Sequence, residues 1–227
     1  MQSPIPDRVP SVFDYAPPTE PWLTILHEDD DLLILDKPSG LLSVPGKDPA
    51  LFDSLQSRVL ARFPGAGTVH RLDKDTSGVV VMAKSKWIHG RLGIQFEKRL
   101  TRKRYIARVW GEVEGEEGLV DLPLATDWER KPRQRVDFER GRPSQTRWQV
   151  IGRESGITRL ALTPITGRTH QLRVHMTALG HPILGDVFYA EGGALEAAPR
   201  LNLHAEMLGF IHPGTGETVE FVSPTPF

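Results

Sequence analysis

Apolar positions recur along this chain with two different periods. WLTILH (22–27) and DLLILDK (31–37) flank an acidic turn and predict two short strands, the second ended by Pro38-Ser39-Gly40. Asp48 followed by Pro49 has the form of a helix cap with proline at the first helical position. Leu51, Leu55 and Val59 then recur every fourth residue, which predicts an amphipathic helix over 50–62. VVVMA (79–83) reads as a buried strand. Ser85 can cap a second helix in which Ile88, Leu92 and Phe96 share a face, although Gly90 and Gly93 lower its helical propensity. In KRYIARVWG (103–111) Tyr105, Ala107 and Val109 alternate with Arg104, Ile106, Arg108 and Trp110, the period of a strand.

TRWQVIG (146–152) and TRLALT (158–163) predict further strands. PITGR then turns into THQLRVHMTALG, where Leu172, Met176 and Leu179 form an apolar stripe and Gly180 suits a helix C-cap. HAEML with its flanks (201–210) and TVEFV (218–222) close the chain as strands. Strands outnumber helices and many are joined by short turns. The expected class is α+β, with a mixed, mostly antiparallel central sheet and flanking helices, rather than a doubly wound parallel sheet. There is no internal repeat.

Composition narrows the chemistry. The 227 residues are 39% hydrophobic and 25% charged, enough to bury a core without staples. The absence of cysteine excludes disulfides, thiolate metal sites and a cysteine nucleophile, and it fits a reducing cytoplasm. No stretch approaches the length of a membrane span. Residues 1–21, with six prolines, are expected to form an extended arm that is loose until about Trp22, leaving 22–227 as one domain. Net charge is −1, but it is unevenly spread. Residues 20–36 carry six acids and no Lys or Arg, 98–104 carry five cations and no acid, and 130–142 carry six cations and two acids. Such basic segments can bind a polyanion on one face, or can be ordinary solvated surface.

Two stretches are dense in reactive groups. HRLDKDTSG (70–78) stands just before the VVVMA run. Asp73 there could act as a nucleophile or base if held ionised in a dry site. Equally, Asp73 or Asp75 could satisfy the N–H groups of a turn. In GRTHQLRVH (167–175), Gly167 ends a turn and Thr169 could cap the helix. His170, Arg173 and Arg168 lie in or before its first turn, a ready anion site for a phosphate or for a carboxylate from elsewhere in the chain. Tyr105, after the first basic segment, could stack on a base or serve the core. Eight histidines raise the question of metal, but His170 and His175 are poorly spaced, and HExxH is absent. Neither a Walker loop nor a complete dinucleotide loop is present, so no cofactor and no metal is expected.

HRLDKDTSG is similar to the HRLD-x-x-TSG signature of the RluA family of pseudouridine synthases. LDKPSGLLSVPG (35–46) resembles that family's first motif, RKRYIARVWG (102–111) its tyrosine-bearing strand, and PITGRTHQLRVHMTALGHPILGD (164–186) its arginine-bearing motif, all in family order. PPTEPWLTILHEDD, LVDLPL (119–124) and LHAEML (203–208) resemble the members that modify both tRNA and 23S ribosomal RNA. The resemblance implies the pseudouridine synthase catalytic fold over 22–227, without a separate N-terminal RNA-binding domain. It also implies isomerisation of uridine to pseudouridine in a tRNA anticodon stem-loop and a 23S rRNA hairpin, by a cytoplasmic monomer with no membrane attachment. Asp73 would be the catalytic aspartate, Tyr105 the tyrosine packed on the target base, and Arg173 the partner of Asp73. Arg71 would fill the space left by the flipped uridine. His70, Thr76, Arg168 and His170 would contact the substrate, whereas Lys37 and Pro38 would be mainly structural. The rival readings are a relative restricted to rRNA, a non-catalytic RNA-binding module on the same fold, and a nucleosidase using Asp73.

Overall fold

The computed structural model describes residues 15–227. Ten strands form one sheet: β1 (Thr24–Glu28), β2 (Leu32–Lys37), β3 (Gly67–Thr68), β4 (Ser77–Ala83), β5 (Arg102–Trp110), β6 (Glu117–Asp121), then, after a separate pair, β9 (Gln145–Glu154), β10 (Ile157–Pro164), β11 (Leu203–Ile211) and β12 (Thr218–Val222). The separate pair is an antiparallel hairpin of β7 (Leu124–Thr126) and β8 (Gln134–Val136). The main path runs β1-β2-β4-β11-β5-β10-β9-β6, with β3 on β4 and β12 on β11. β4 and β11 run parallel, and the other strand pairs described are antiparallel. The helices are α1 (Leu55–Arg62), α2 (Lys86–Glu97), α3 (Gln171–Ala178) and the short α4 (Gly192–Glu196). The α+β expectation therefore holds.

The apolar pattern explains the layering. Along β2 and β4, alternate side chains enter opposite cores. Leu33, Leu35, Val80 and Met82 pack with Leu55 and Val59 of α1, whereas Leu32, Ile34, Val79 and Val81 pack with Ile88 and Leu92 of α2. A strand covered on both faces has no polar side, which is why VVVMA shows no alternation. The other half of the sheet has its own core. Ala107, Val109, Leu160 and Leu162 meet Leu172 and Met176 of α3, and Tyr105 packs against this core and against the α1 core.

Two helix expectations are corrected. The run from 50 to 62 is not one helix. Asp48 caps only a 3₁₀ turn, Pro49–Leu51, by accepting from the Ala50 N–H at 2.9 Å. Ser54 then restarts the chain from an extended backbone and forms a reciprocal capping box with Ser57. Thr169 does not cap α3 either. The cap position is His170, in the left-handed region (φ 54°, ψ 17°), and its side chain caps nothing. Ser85 caps α2 as expected.

The expectation of a loose arm as far as Trp22 fails for its described part. Tyr15 donates its hydroxyl to the Asp53 carbonyl at 2.7 Å and accepts from the Leu42 N–H at 3.0 Å. Buried Arg58 grips the Asp53 carboxylate with two bonds of 2.7 Å, donates to the carbonyls of Pro18 and Trp22, and lies 4.2 Å over the Trp22 ring. Residues 1–14 of the predicted arm lie outside the described residues.

Gly78 marks the point where the sheet is joined. It pairs with Lys37 of β2 on one side and with Ala205 of β11 on the other. Its φ is +116°, and a Cβ there would overlap the Ala205 carbonyl, which backbone cannot easily yield. Gly78→Ala is expected to destabilise the protein by roughly 2–4 kcal/mol in chemical denaturation, through overpacking and backbone strain together; a loss below about 0.5 kcal/mol, the level of a neutral surface change, would contradict this placement.

Candidate active site

A cleft of about 1150 Å³ opens where the two halves of the sheet meet. Asp73 lies in the loop before β4, Tyr105 near the start of β5, and Arg173 in the first turn of α3; all three line the cleft. His70, Arg71, Thr76, Arg168 and His170 line it too, so the eight residues for which the resemblance implies a catalytic or substrate-contacting role lie on one cleft, whereas Lys37, Asp75 and His175 are not on its wall. Arg99, Arg102, Lys103 and Arg104 of the first basic segment form part of the wall, and no residue of the acidic stretch 20–36 does. Arg71, Arg99 and Arg168 have no carboxylate partner among the described residues.

The charge packed into HRLDKDTSG is explained by how that loop is fastened. Lys37, at the end of β2, is fully buried, and its ammonium donates to the carbonyls of Pro38 (2.8 Å), Leu41 (2.7 Å) and Lys74 (2.8 Å). The Gly40 N–H also donates to Lys74 O at 3.0 Å, and the Ser39 hydroxyl to Asp75 O at 2.7 Å. Ser43 both donates to Leu72 O (2.7 Å) and accepts from Leu72 N–H (3.0 Å). The residues on either side of Asp73 are thus stitched to the turn after β2. Burial pulls the Lys37 ammonium down to about 7 against the opposing charges of Asp75 and Asp73. Asp73 itself starts a tight turn, its backbone carbonyl accepting from Thr76 N–H at 3.2 Å, while among the described residues its carboxylate meets Arg173 and His170 and no N–H of that turn.

Arg173 reaches Asp73, but its closest partner is a residue the sequence reading passed over. Its Nε and Nη2 donate to the two oxygens of Asp186 at 2.7 and 2.6 Å, a two-pronged pair with Arg173 2% and Asp186 0% exposed. Nη1 meets Asp73 Oδ2 at 3.4 Å. Burial opposes the charge on Arg173, but the hydrogen bonds and charge of Asp186, with Asp73 behind, outweigh it and raise the guanidinium pKa. Asp186 was hard to see because it lies in the irregular stretch after α3, where no periodicity applies. Its one signal was its place at the end of the arginine-bearing motif.

Three further groups on the wall, Tyr105, His70 and His170, are uncharged near neutral pH. Burial, with Asp73 nearby, pushes the Tyr105 hydroxyl above its ordinary value, so it stays protonated. Burial, with Lys103 nearby, pulls His70 down to about 3; its ring stacks on Phe96 (4.5 Å between centroids) and its Nε2 accepts from Val81 N–H at 3.2 Å. His70 therefore helps hold the loop to β4 as well as lining the cleft. Burial also lowers His170, whose Nε2 is 3.9 Å from Asp73 Oδ2 and whose Nδ1 is 2.7 Å from the Tyr189 hydroxyl. Among the described residues no group of three or more His, Cys, Asp or Glu is arranged to hold a metal, and no helix is long and apolar enough to cross a membrane.

Chemically, the site offers the Asp73 carboxylate, partly open to the cleft, facing a fixed cation, beside a protonated phenol and under a basic rim. A family model described as RNA pseudouridylate synthase matches residues 31–178. The chain is 53% identical over 215 residues to "Dual-specificity RNA pseudouridine synthase RluA" of Salmonella typhi, covering 94% of this chain and 98% of that protein. Identity to the protein of the same name from Pasteurella multocida is 50% over 218 residues, covering 96% and 100%. Among solved structures, "Human RNA Pseudouridylate Synthase Domain Containing 1" superposes with a TM-score of 0.75 at 33% identity, covering 90% of this chain and 84% of that one.

Two consequences can be measured. Asp186→Ala strands a buried guanidinium and is expected to destabilise the fold by roughly 3–5 kcal/mol in chemical denaturation; a change below about 1 kcal/mol would deny the pairing this weight. The second concerns acid. Unfolded histidines bind protons near pH 6.5, whereas His70 in the fold binds one only near 3. The unfolded chain therefore holds more protons in that window, and stability falls as pH drops from about 6.5 toward 3. His70 alone should remove roughly 3 kcal/mol between pH 6.5 and 4. His70→Gln, which keeps an acceptor for Val81, should flatten that part of the stability profile; an unchanged slope would speak against it.

Proposed function

Since the chain belongs to the RNA pseudouridylate synthase family, we propose that it isomerises a uridine to pseudouridine in two RNA classes, the tRNA anticodon stem-loop and a 23S rRNA hairpin, with Asp73 at the centre of the chemistry. The observation that carries this reading is the Asp73–Arg173 contact at 3.4 Å inside a cleft rimmed by cations. The double specificity rests on relatives of that description, which match nearly the whole chain.

The reaction breaks the N1–C1′ bond, turns the detached base and joins C5 to C1′. It requires no redox change. Asp73 either attacks C1′ or removes the C2′ proton, and in both routes it must be a carboxylate at neutral pH. Arg173 supplies the opposite charge without being free to swing away, because Asp186 holds its other two nitrogens. Tyr105 packs on the target base as an uncharged ring. A uridine stacked in a loop hides C1′, so it must be flipped out, at a cost of a few kcal/mol. Arg71 is exposed, lacks a carboxylate partner among the described residues and is two positions from Asp73, which suits it to fill the vacated space. Thr76, His70, Arg168 and His170 enclose the flipped nucleotide. The basic segments 98–104 and 130–142 contact phosphates, so binding weakens steeply with salt. In this reading residues 22–227 act as one catalytic domain, and the enzyme works as a cytoplasmic monomer.

Tritium release from RNA labelled at uridine C5 tests the proposal, because forming the C5–C1′ bond expels the C5 hydrogen. Release is expected from both a tRNA and a 23S rRNA hairpin, and Asp73→Asn should lower it by at least about a thousandfold while RNA binding persists. Release from a single class would overturn the double specificity. Full activity of Asp73→Asn would overturn the assignment of the carboxylate.

A further inference from the structure

Asp186 anchors more than Arg173. Its Oδ1 also accepts from the N–H groups of Phe188 (3.0 Å) and Tyr189 (3.3 Å), which sets both aromatic rings beside the guanidinium, 5.1 and 5.2 Å away. The Tyr189 hydroxyl then stands between two groups from distant parts of the chain. The backbone N–H of Gln134, the first residue of β8, donates to it at 2.7 Å, and His170 Nδ1 lies 2.7 Å away on its other side. A backbone N–H can only donate, so one lone pair of the phenol is taken. Its proton remains to be given, and among the described residues the partner in reach is His170 Nδ1. His170 then carries its own proton on Nε2, the nitrogen that faces Asp73 Oδ2 at 3.9 Å. Burial keeps the phenol protonated, its pKa pushed up to about 12.

His170 is held with unusual rigidity for this task. Its ring is stacked on Phe188 at 5.6 Å and meets the Tyr189 ring edge-on at the same distance. Its backbone sits in the left-handed region, which a non-glycine residue occupies only where the surroundings demand it. At the other end of the chain of bonds, the β7–β8 hairpin is a surface element. It carries Arg130, Lys131, Arg133 and Arg135, and Pro132 reaches the cleft wall. The hairpin is paired to itself and to a short neighbouring segment, with Leu124 and Arg142 exchanging backbone bonds, and not to the large sheet.

We infer that Tyr189 is a positioning residue that, through His170, ties the placement of the basic β7–β8 hairpin to the orientation of the Asp73 carboxylate. RNA held by the hairpin fixes Gln134, Gln134 fixes the Tyr189 hydroxyl, and that hydroxyl selects the tautomer in which His170 presents N–H to Asp73. Correct RNA docking is thereby felt at the reacting carboxylate. This rests on the function proposed above for the same cleft.

Tyr189→Phe tests it, measured beside the wild type. Single-turnover pseudouridine formation on the bound RNA should fall roughly tenfold, with the dissociation constant for RNA changed less than about twofold. A loss confined to RNA affinity, or no loss at all, would overturn the inference. Nitrogen-15 spectra of the His170 imidazole in the free protein decide the linkage without any substrate. The wild type should show the Nε2–H tautomer and Tyr189→Phe a mixture. A wild type with the proton on Nδ1 would overturn the linkage, even if Tyr189→Phe failed to fold. A wild type inactive on every RNA but showing the Nε2–H form would sink the proposed function and leave the linkage standing.

Discussion

A guanidinium sealed between two carboxylates is the constraint on which the site depends. Arg173 is taken out of water by the core of the second half of the sheet, and a lone buried cation would be untenable. Asp186 answers it with both oxygens and with almost no exposure of its own. That pairing neutralises the charge one for one. Asp73 then sits at the longer distance of 3.4 Å, attracted but not consumed. A carboxylate locked in a two-pronged pair would be a poor nucleophile or base, because its lone pairs would already be committed. In the function proposed above, dividing the labour between two aspartates, Asp186 to hold and Asp73 to react, removes that conflict.

The same separation of holding from reacting governs the loop. Asp73 needs a fixed position but a free side chain. The fixing is done through its neighbours' backbone: Lys37, Gly40, Ser39 and Ser43 bind carbonyls or N–H groups of residues 72, 74 and 75. Gly78 lets β4 leave this loop and pass close between β2 and β11, so the Asp73 loop is attached to the seam of the sheet. The two cores on either side of that seam share Tyr105, which places the phenol where motion of one half against the other would be most restrained.

How much of this could be read in advance follows the range of the interactions. Caps and periodicities act within a few residues, so the Ser85 cap, the two-faced burial of VVVMA and the alternation of 103–111 were legible. Local rules also misled where two were in competition. Asp48-Pro49 and Ser54 are both good starts, and the apolar period across 51–59 hides that the chain obeys each in turn. Thr169 is a better cap than His170 by propensity, but the histidine is drawn inward by Tyr189 and Phe188, contacts 19 and 18 residues away that no local rule contains. Asp73, Tyr105 and Arg173 stood out by residue type and place, but the choice between a chemical and a structural role for each came from resemblance to a family, not from spacing. Asp186 and Tyr189 escaped because their importance lies entirely in whom they meet. The strands β7 and β8 escaped because three residues in a charged segment carry no period.

The size and charge of the cleft bear on what can enter it. A free nucleoside would need a few hundred cubic ångströms of mostly apolar enclosure, the usual form of small-molecule sites. Here the volume is about 1150 Å³, and cations from three separated segments, Arg71, Arg99 and Arg168, face it without carboxylates to answer them among the described residues. Unpaired cations spaced along an open cleft favour a ligand whose negative charges are themselves spaced along a chain, because each contact releases counterions that a small neutral nucleoside does not hold. The overall charge of −1 hides this, since six acids are gathered in residues 20–36, none of them on the cleft wall. Keeping these six acids off the wall, where Asp73 and Glu97 are the acids present, lets a nearly neutral protein present a largely cationic face there, and that separation of charge, more than any single residue, distinguishes a polymer-modifying site from one built for a nucleoside.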